Sequence, residues 1–275
     1  MGRDLWITLI AGLLMNLISQ TNGESSSGSS SSSWNIINQR NGNKNVGSST
    51  LQKYCESWRI NVELNNIREF KVVPEECTNY VGKYMTSTQY KSDSERTIEE
   101  AEVYLARYCP LEGDGKDVWI FDVDETLLST VPYFKKHGFG GEKMNHTSLE
   151  GWMKERKAVV LEHTLRIFNE VRLKGVKIFI ISNRRECLRD ATVENLLKVG
   201  YQGWSGLILR GGVEDEKVES YKAGVRRRLV DEQGYRILGI ISDQWSSFDN
   251  GYPSSSSAKS NYRSFKLPNS IYYVA

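Results

Sequence analysis

The sequence predicts an α/β fold, a three-layer parallel sheet with a helical amino-terminal region ahead of it and a small insertion after its first strand. Three observations predict it. From residue 117 onward, apolar runs of strand length alternate with stripes of helical period, the pattern of a parallel sheet covered on both faces. Gly175, Gly200 and Gly234 close the helical stripes. The apolar runs 118–121, 176–181 and 237–241 end abruptly in Asp122, Ser182 and Asp243. In such sheets ligands bind outside the carboxyl ends of the strands.

In chain order, residues 5–18 are apolar apart from Thr8 and Asn16. That run is short for a bilayer span and suits the core of a signal peptide over 1–23, with Thr21 and Gly23 as small residues for cleavage. An uncleaved anchor is the alternative. Residues 24–50 are rich in Ser, Asn and Gly and bury nothing, so a flexible leader is expected, with order beginning near Leu51. The domain then runs over 51–275, divided into a helical lead-in (51–110) and an α/β core (117–275). In the lead-in, Val73-Pro74-Glu75-Glu76 reads as a helix start, followed by Cys77, Val81 and Tyr84 on one face. Thr97-Ile98-Glu99-Glu100 has capping-box spacing ahead of Ala101, Leu105 and Tyr108, and predicts a second start.

Four cysteines allow three complete pairings. Cys55 and Cys77 both lie in the lead-in and pair first. Cys109 precedes the first strand and Cys187 follows the second, so a parallel sheet holds them at opposite ends, roughly 20 Å apart. A disulfide needs Cα atoms within about 7 Å.

The stretch 117–129 organises the core. Asp122 and Asp124 flank one valine, and residues two apart on an extended chain point the same way. Two such carboxylates at a strand's end repel unless a cation sits between them, and Mg²⁺ suits a few carboxylate oxygens plus water and phosphate. Residues 130–157 form a polar, aromatic insertion holding Tyr133, Phe134, Phe139 and Trp152, placed either to cover a site or to pack its own aromatics. Within it, Asn145-His146-Thr147 is a glycosylation sequon, which places it in a surface loop if the chain is secreted. Helical stripes follow at Leu161, Leu165, Phe168 and Val171, over 188–199, and at Tyr221, Val225 and Leu229, with a short strand at 206–209.

Composition excludes several classes. The 36 Lys and Arg against 34 Asp and Glu leave a formal charge of +2, too little to argue for nucleic acid or an anionic membrane. Arg226-Arg227-Arg228 reads as a solvated helix face. No His-x₃-His or Cys-x₂-Cys spacing suggests zinc, and no Gly-x₄-Gly-Lys-Ser/Thr loop suggests a P-loop.

The frame Asp122-Val-Asp-Glu-Thr-Leu-Leu128 resembles the first motif of the haloacid dehalogenase-like phosphohydrolases, whose core is Rossmann-like. More narrowly it resembles the plant acid phosphatases and vegetative storage proteins. Cys55-Glu-Ser-Trp-Arg, Val-Pro-Glu-Glu-Cys77 and Tyr80-Val81 resemble that family's amino-terminal region, so the resemblance runs from about residue 53 to the end. It implies an Mg²⁺-dependent acid phosphatase acting on small phosphomonoesters. Asp122 matches the nucleophile that becomes an aspartyl-phosphate, and Asp124 the general acid and then base. Ser182 matches the second motif, whose hydroxyl and following N–H hold phosphoryl oxygens with Asn183 beside it. Lys222, in Tyr-Lys-Ala-Gly-Val-Arg, matches the neutralising cation. Asp243 matches the fourth motif, completing the Mg²⁺ site with the Asp122 carboxylate and the Asp124 carbonyl. The resemblance implies passage through the secretory pathway to the cell exterior or vacuole, no nucleic-acid partner and no stable membrane association after signal cleavage. Homodimerisation is left open.

Two departures stand out. Relatives carry Thr-Gly-Arg where this chain has Ser182-Asn183-Arg184, and asparagine brings a side chain where glycine lets backbone approach. Relatives read Gly-Asp-Gln-Trp-Ser/Ala-Asp where this chain has Ser242-Asp243-Gln244-Trp245-Ser246-Ser247, so a carboxylate is missing. A helical turn there would set position 247 beside Asp243, with Asp249 as a substitute. These departures favour the alternative of a storage-type glycoprotein with weak or no activity. An Asp-x-Asp glycosyltransferase is a third reading, opposed by the Ser182, Lys222 and Asp243 series.

Overall fold

The computed structural model describes residues 48–211, 217–248 and 262–274. The expected signal peptide over 1–23, the leader up to residue 47, Asp249 and the run 249–261 lie outside the described residues.

The lead-in is helical. Helix α1 (Ser48–Glu63) begins inside the expected leader rather than at Leu51. A 3₁₀ turn (Glu75–Cys77) capped by Pro74 leads into α2 (Thr78–Met85). Helix α3 spans Thr88–Arg107 and is one element where two signals competed. Its cap is Ser87, whose side chain accepts from the Tyr90 N–H at 3.2 Å. The capping-box spacing at Thr97 therefore marks no start. The Thr97 hydroxyl donates back to the Asp93 carbonyl at 3.2 Å, one turn earlier in the same helix. A disulfide joins Cys55 to Cys77 with 5.2 Å between Cα atoms, tying α1 to the 3₁₀ turn. Closing a loop of this size stabilises by about 3 kcal/mol in the chain-entropy model. Cys109 and Cys187 are free.

The core sheet has strand order β5-β4-β1-β6-β7, and every pairing in it is parallel. Its strands are β1 (Asp117–Phe121), β4 (Lys177–Arg185), β5 (Gly206–Arg210), β6 (Arg236–Ser242) and β7 (Arg263–Lys266). Strand β1 is central and buried throughout. Trp119 and Phe121 pack into the cluster holding Ile98, Leu105, Ile167 and Phe168, against α3 and α6 (Glu162–Leu173). Val118 and Ile120 point the other way, onto Tyr221, Val225 and Leu229 around the helix Val218–Arg227. The period-2 alternation of one strand thus builds both helical layers. The β1–β6 pairing requires Gly239, where an added Cβ would lie 2.5 Å from the Trp119 ring.

Strand β7 was not legible in the sequence. Only Phe265 and Lys266 of its four residues are shielded from solvent, and Phe265 earns its place by stacking on Trp119 at 5.8 Å. The insertion holds α4 (Val131–Lys136) and α5 (His146–Lys154) and is closed at its base by an antiparallel ribbon, β2 (Leu128–Ser129) against β3 (Val159–Val160). Two-residue strands carry no readable period.

Candidate active site

The chain runs from β1 outward through β4 to β5, then returns to the other side of β1 for β6. The order reverses between β1 and β6, and a crevice opens at that point at the carboxyl ends of the strands. Asp122 follows β1 and Asp243 follows β6, so both fall at the reversal. The Asp122 N–H donates to the Ile241 carbonyl at 3.1 Å and fixes their relation.

Past Asp122 the chain turns back sharply. The Leu127 and Leu128 N–H groups donate to the Val123 carbonyl at 2.9 Å, and the Glu125 N–H to the Leu128 carbonyl at 2.8 Å. Glu125 sits at φ 47°, a left-handed conformation disfavoured for a side chain of its size. Its carboxylate is what holds it there. Fully buried, it accepts from the Thr130 N–H, from the Thr130 hydroxyl at 2.6 Å and from the Ser129 hydroxyl at 3.1 Å. Burial pushes this carboxyl up to about 7. Glu125→Ala is expected to destabilise the domain by about 3–5 kcal/mol, since it orphans three buried donors at a strained turn. Denaturant unfolding checks this, and a loss below about 1 kcal/mol would show that the turn holds itself.

The Asp122 carboxylate is densely held. Oδ1 accepts the Val123 N–H at 2.7 Å. Oδ2 accepts from the Lys222 ammonium, from the Ser242 hydroxyl at 3.0 Å and from the Ser247 hydroxyl at 3.2 Å. Lys222 is 3 % exposed and also donates to Ser247 Oγ at 2.8 Å. Position 247 therefore faces Asp122 and Lys222 rather than Asp243, contrary to the helical-turn expectation. The reason is local: residues Trp245–Ser247 form a 3₁₀ turn that brings Ser247 Oγ to 2.7 Å from Ser242 Oγ. The Arg226 guanidinium then donates to the Ser247 carbonyl at 2.7 Å. Arg226 is buried, so the arginine run is only partly a solvated face; Arg227 and Arg228 are exposed.

Asp124 lies at the cavity mouth, gripped by one arginine. Arg184 Nη2 donates to Asp124 Oδ1 at 2.7 Å and Nε to Oδ2 at 3.0 Å, while Nη1 donates to Thr192 Oγ1 at 3.1 Å. Arg184 is buried and Asp124 partly exposed, so the guanidinium is a fixed anchor for a reachable carboxylate. The sequence reading assigned Arg184 no role. A signal existed: strand β4 continues past Ser182 to Arg185, and alternation puts Ser182 and Arg184 on one side. Ser182 is buried, and its hydroxyl accepts the Arg184 N–H at 3.1 Å. Asn183 lines the cavity and accepts from Arg210 Nη1 at 3.2 Å.

Asp243 is 2 % exposed and accepts from the Gln244 and Asn269 amides, each at 2.7 Å, and from the Thr126 hydroxyl at 3.4 Å. Burial foremost, and then the facing Asp122 carboxylate, push its carboxyl up to about 6. This surplus of buried negative charge fits a hard divalent cation. Asp122 and Asp243 would hold it with the Asp124 carbonyl, to which no described residue donates. Among the described residues no group of three or more His, Cys, Asp or Glu side chains is arranged for a metal, so the protein side chains offered to a cation here are the two carboxylates alone. Asn269 comes from the tail after β7 and was missed, since nothing in Leu267-Pro-Asn-Ser270 signals contact with residue 243. Asn269→Ala is expected to weaken divalent-metal affinity by about tenfold, as partners that orient metal ligands typically do. Calorimetric titration with Mg²⁺ measures it, and unchanged affinity would make Asn269 a packing residue only.

The cavity is about 370 Å³. Opposite its charged floor, Phe134, Met144, Leu149 and Met153 of the insertion and Tyr272 of the tail form an apolar wall. Phe134 and Tyr272 are stacked at 5.2 Å. The insertion thus covers the site as well as packing its own aromatics.

A family model described as HAD superfamily, subfamily IIIB (acid phosphatase) matches residues 40–275. The chain is 41 % identical to Acid phosphatase 1 of Solanum lycopersicum over 220 residues, covering 80 % of this chain and 83 % of that protein. It is 40 % identical to the Stem 28 kDa glycoprotein of Glycine max, covering 80 % and 84 %, and 39 % identical to Vegetative storage protein 1 of Arabidopsis thaliana, covering 80 % and 78 %. Among solved structures, the class C acid phosphatase from Bacillus anthracis with tungstate bound shares the fold, with a TM-score of 0.57 at 20 % identity over 71 % of this chain and 85 % of that one.

Proposed function

The chain belongs to the HAD superfamily, subfamily IIIB acid phosphatases, and from that premise we propose that it hydrolyses small phosphomonoesters through an aspartyl-phosphate on Asp122, with Mg²⁺ as its metal. Acid phosphatases of this superfamily generally use a divalent metal. The observation that carries the reading is the pairing of two differently held carboxylates two residues apart. Asp122 is buried, with Oδ1 on a backbone N–H and Oδ2 on an ammonium, the fixed orientation a nucleophile needs. Asp124 is the reachable one, fixed by Arg184 where it can protonate a leaving alkoxide and then take a proton from water.

Lys222, already seated on Asp122, neutralises the transferring phosphoryl group. Asn183 lines the phosphoryl end of the cavity. The Ser182 hydroxyl accepts the Arg184 N–H beside Asn183, and its own O–H proton is the one for a phosphoryl oxygen. A bound divalent cation supplies charge neutralisation for the dianionic phosphoryl group. The apolar run 5–18 and the relatives named as glycoproteins support a route through the secretory pathway, to the exterior or the vacuole. Among the described residues, no helix is long and apolar enough to cross a membrane.

A second reading, a storage-type protein on this scaffold, is favoured by one feature. Ser247 puts a neutral hydroxyl against both Lys222 and Asp122, and the nucleophile's Oδ2 already faces an ammonium and two hydroxyls. A phosphomonoesterase assay on purified protein, with chelator and with Mg²⁺ restored, separates the two. Metal-dependent release of phosphate supports the enzyme. Release absent in both conditions supports the storage reading.

A further inference from the structure

We propose that an N-linked glycan on Asn145 stands at the rim of the active cavity and confines turnover to small phosphomonoesters by excluding phosphorylated proteins; the inference rests on the phosphatase reading above.

Asn145-His146-Thr147 is the single Asn-x-Ser/Thr sequon in the chain. It lies not in a free loop but at the start of α5, with Asn145 as the N-cap. Asn145 and Thr147 are both exposed. Helix α5 is a wall of the cavity: His146, Leu149, Glu150 and Met153, spaced as one helical face, all line it, as does Met144 on the other side of Asn145. The residues flanking the modified amide therefore both border the opening, and a bulky, hydrated group there rises beside the entrance.

The cap geometry suits modification. Asn145 Oδ1 accepts the Ser148 N–H at 3.0 Å. Glycosylation uses the other amide atom. Nδ2 bonds to the anomeric carbon of a lipid-linked oligosaccharide donor and loses one proton, and the donor's C–O bond breaks as the lipid pyrophosphate leaves. Oδ1 keeps its lone pairs, so the helix cap survives and the glycan is held at the end of a rigid helix. A cavity of about 370 Å³ still admits a small ester past such a group. A phosphoserine on a folded protein must bring its surrounding surface down onto the rim, where the glycan stands.

The test compares wild type, Thr147→Ala and Thr147→Ser, all produced through the same secretory host. Thr147→Ala removes the sequon and leaves the Asn145 cap in place, and Thr147→Ser keeps both. Mass analysis of the Asn145 peptide is expected to find glycan in wild type and Thr147→Ser only. Rates on phenyl phosphate are expected to be equal in all three. The rate on a phosphorylated protein is expected to rise about tenfold in Thr147→Ala alone, a barrier change of about 1.4 kcal/mol. A bare Asn145 peptide in wild type overturns the proposal, as does an equal phosphoprotein to phenyl phosphate ratio in all three. Equilibrium binding of the phosphorylated protein to each variant reads the rim without turnover. Inactivity on phenyl phosphate with tighter phosphoprotein binding by Thr147→Ala would sink the phosphatase reading and keep the rim. Equal binding would sink the rim.

Discussion

Asp122→Asn is expected to lower phosphomonoester turnover by roughly a thousandfold or more, because an amide cannot serve as the attacking oxyanion and no other described carboxylate occupies its place. The same change has a second, structural consequence. Lys222 is 3 % exposed, and among the described residues its only ion-pair partner is Asp122. Replacing that carboxylate by an amide leaves a buried ammonium with the Ser247 hydroxyl as its remaining close partner, which costs about 3–5 kcal/mol of stability. The two effects separate in a double variant. Asp122→Asn/Lys222→Met removes the stranded charge and is expected to be more stable than the sum of the single changes by at least about 1 kcal/mol, while staying inactive. Denaturant unfolding of the four proteins, beside phosphate-release rates for each, checks both parts. Activity surviving in Asp122→Asn would exclude an aspartyl-phosphate. Additive stabilities would mean that water already solvates Lys222.

Ser247→Asp carries the next largest expectation. Ser247 Oγ lies 2.8 Å from Lys222 Nζ and 3.2 Å from Asp122 Oδ2. A carboxylate introduced there meets the ammonium directly and draws it off the nucleophile, freeing Oδ2 and adding negative charge beside the proposed cation. The expected result is a fall of about 10–100-fold in the Mg²⁺ needed for half-maximal phosphate release. The route differs from the one that a helical turn suggested, since position 247 supports the Asp122 and Lys222 end of the site and not Asp243. Ser247→Asn provides the control of equal size without charge and should leave the Mg²⁺ requirement within a fewfold of wild type. Identical Mg²⁺ curves for wild type and Ser247→Asp would mean that the charge at 247 does not reach the metal end.

How much of this was legible in the chain depends on the range of the interaction. Strand β1, the helical stripes and their glycine stops were readable because apolar period is a local property, written into neighbouring residues. So was the Asp122-x-Asp124 pair, because alternation along one strand fixes which side chains share a side. The position of Asp243 at a strand end was readable for the same reason. Boundaries set by competing local signals were not, as at α3, where Ser87 caps the helix and Thr97 only imitates a cap.

By itself, then, the sequence determined the alternating α/β core, the order of its motifs, and which carboxylates stand at the ends of β1 and β6. Tertiary structure alone decided their neighbours. Arg184 reaches Asp124 across 60 residues, Lys222 reaches Asp122 across 100, and Asn269 of the tail reaches Asp243 from beyond β7. These partners meet because the chain returns past β1 to place β6 on its other side. A hydrogen bond or ion pair is specified by distance in space, and no pattern within a window of neighbouring residues encodes it.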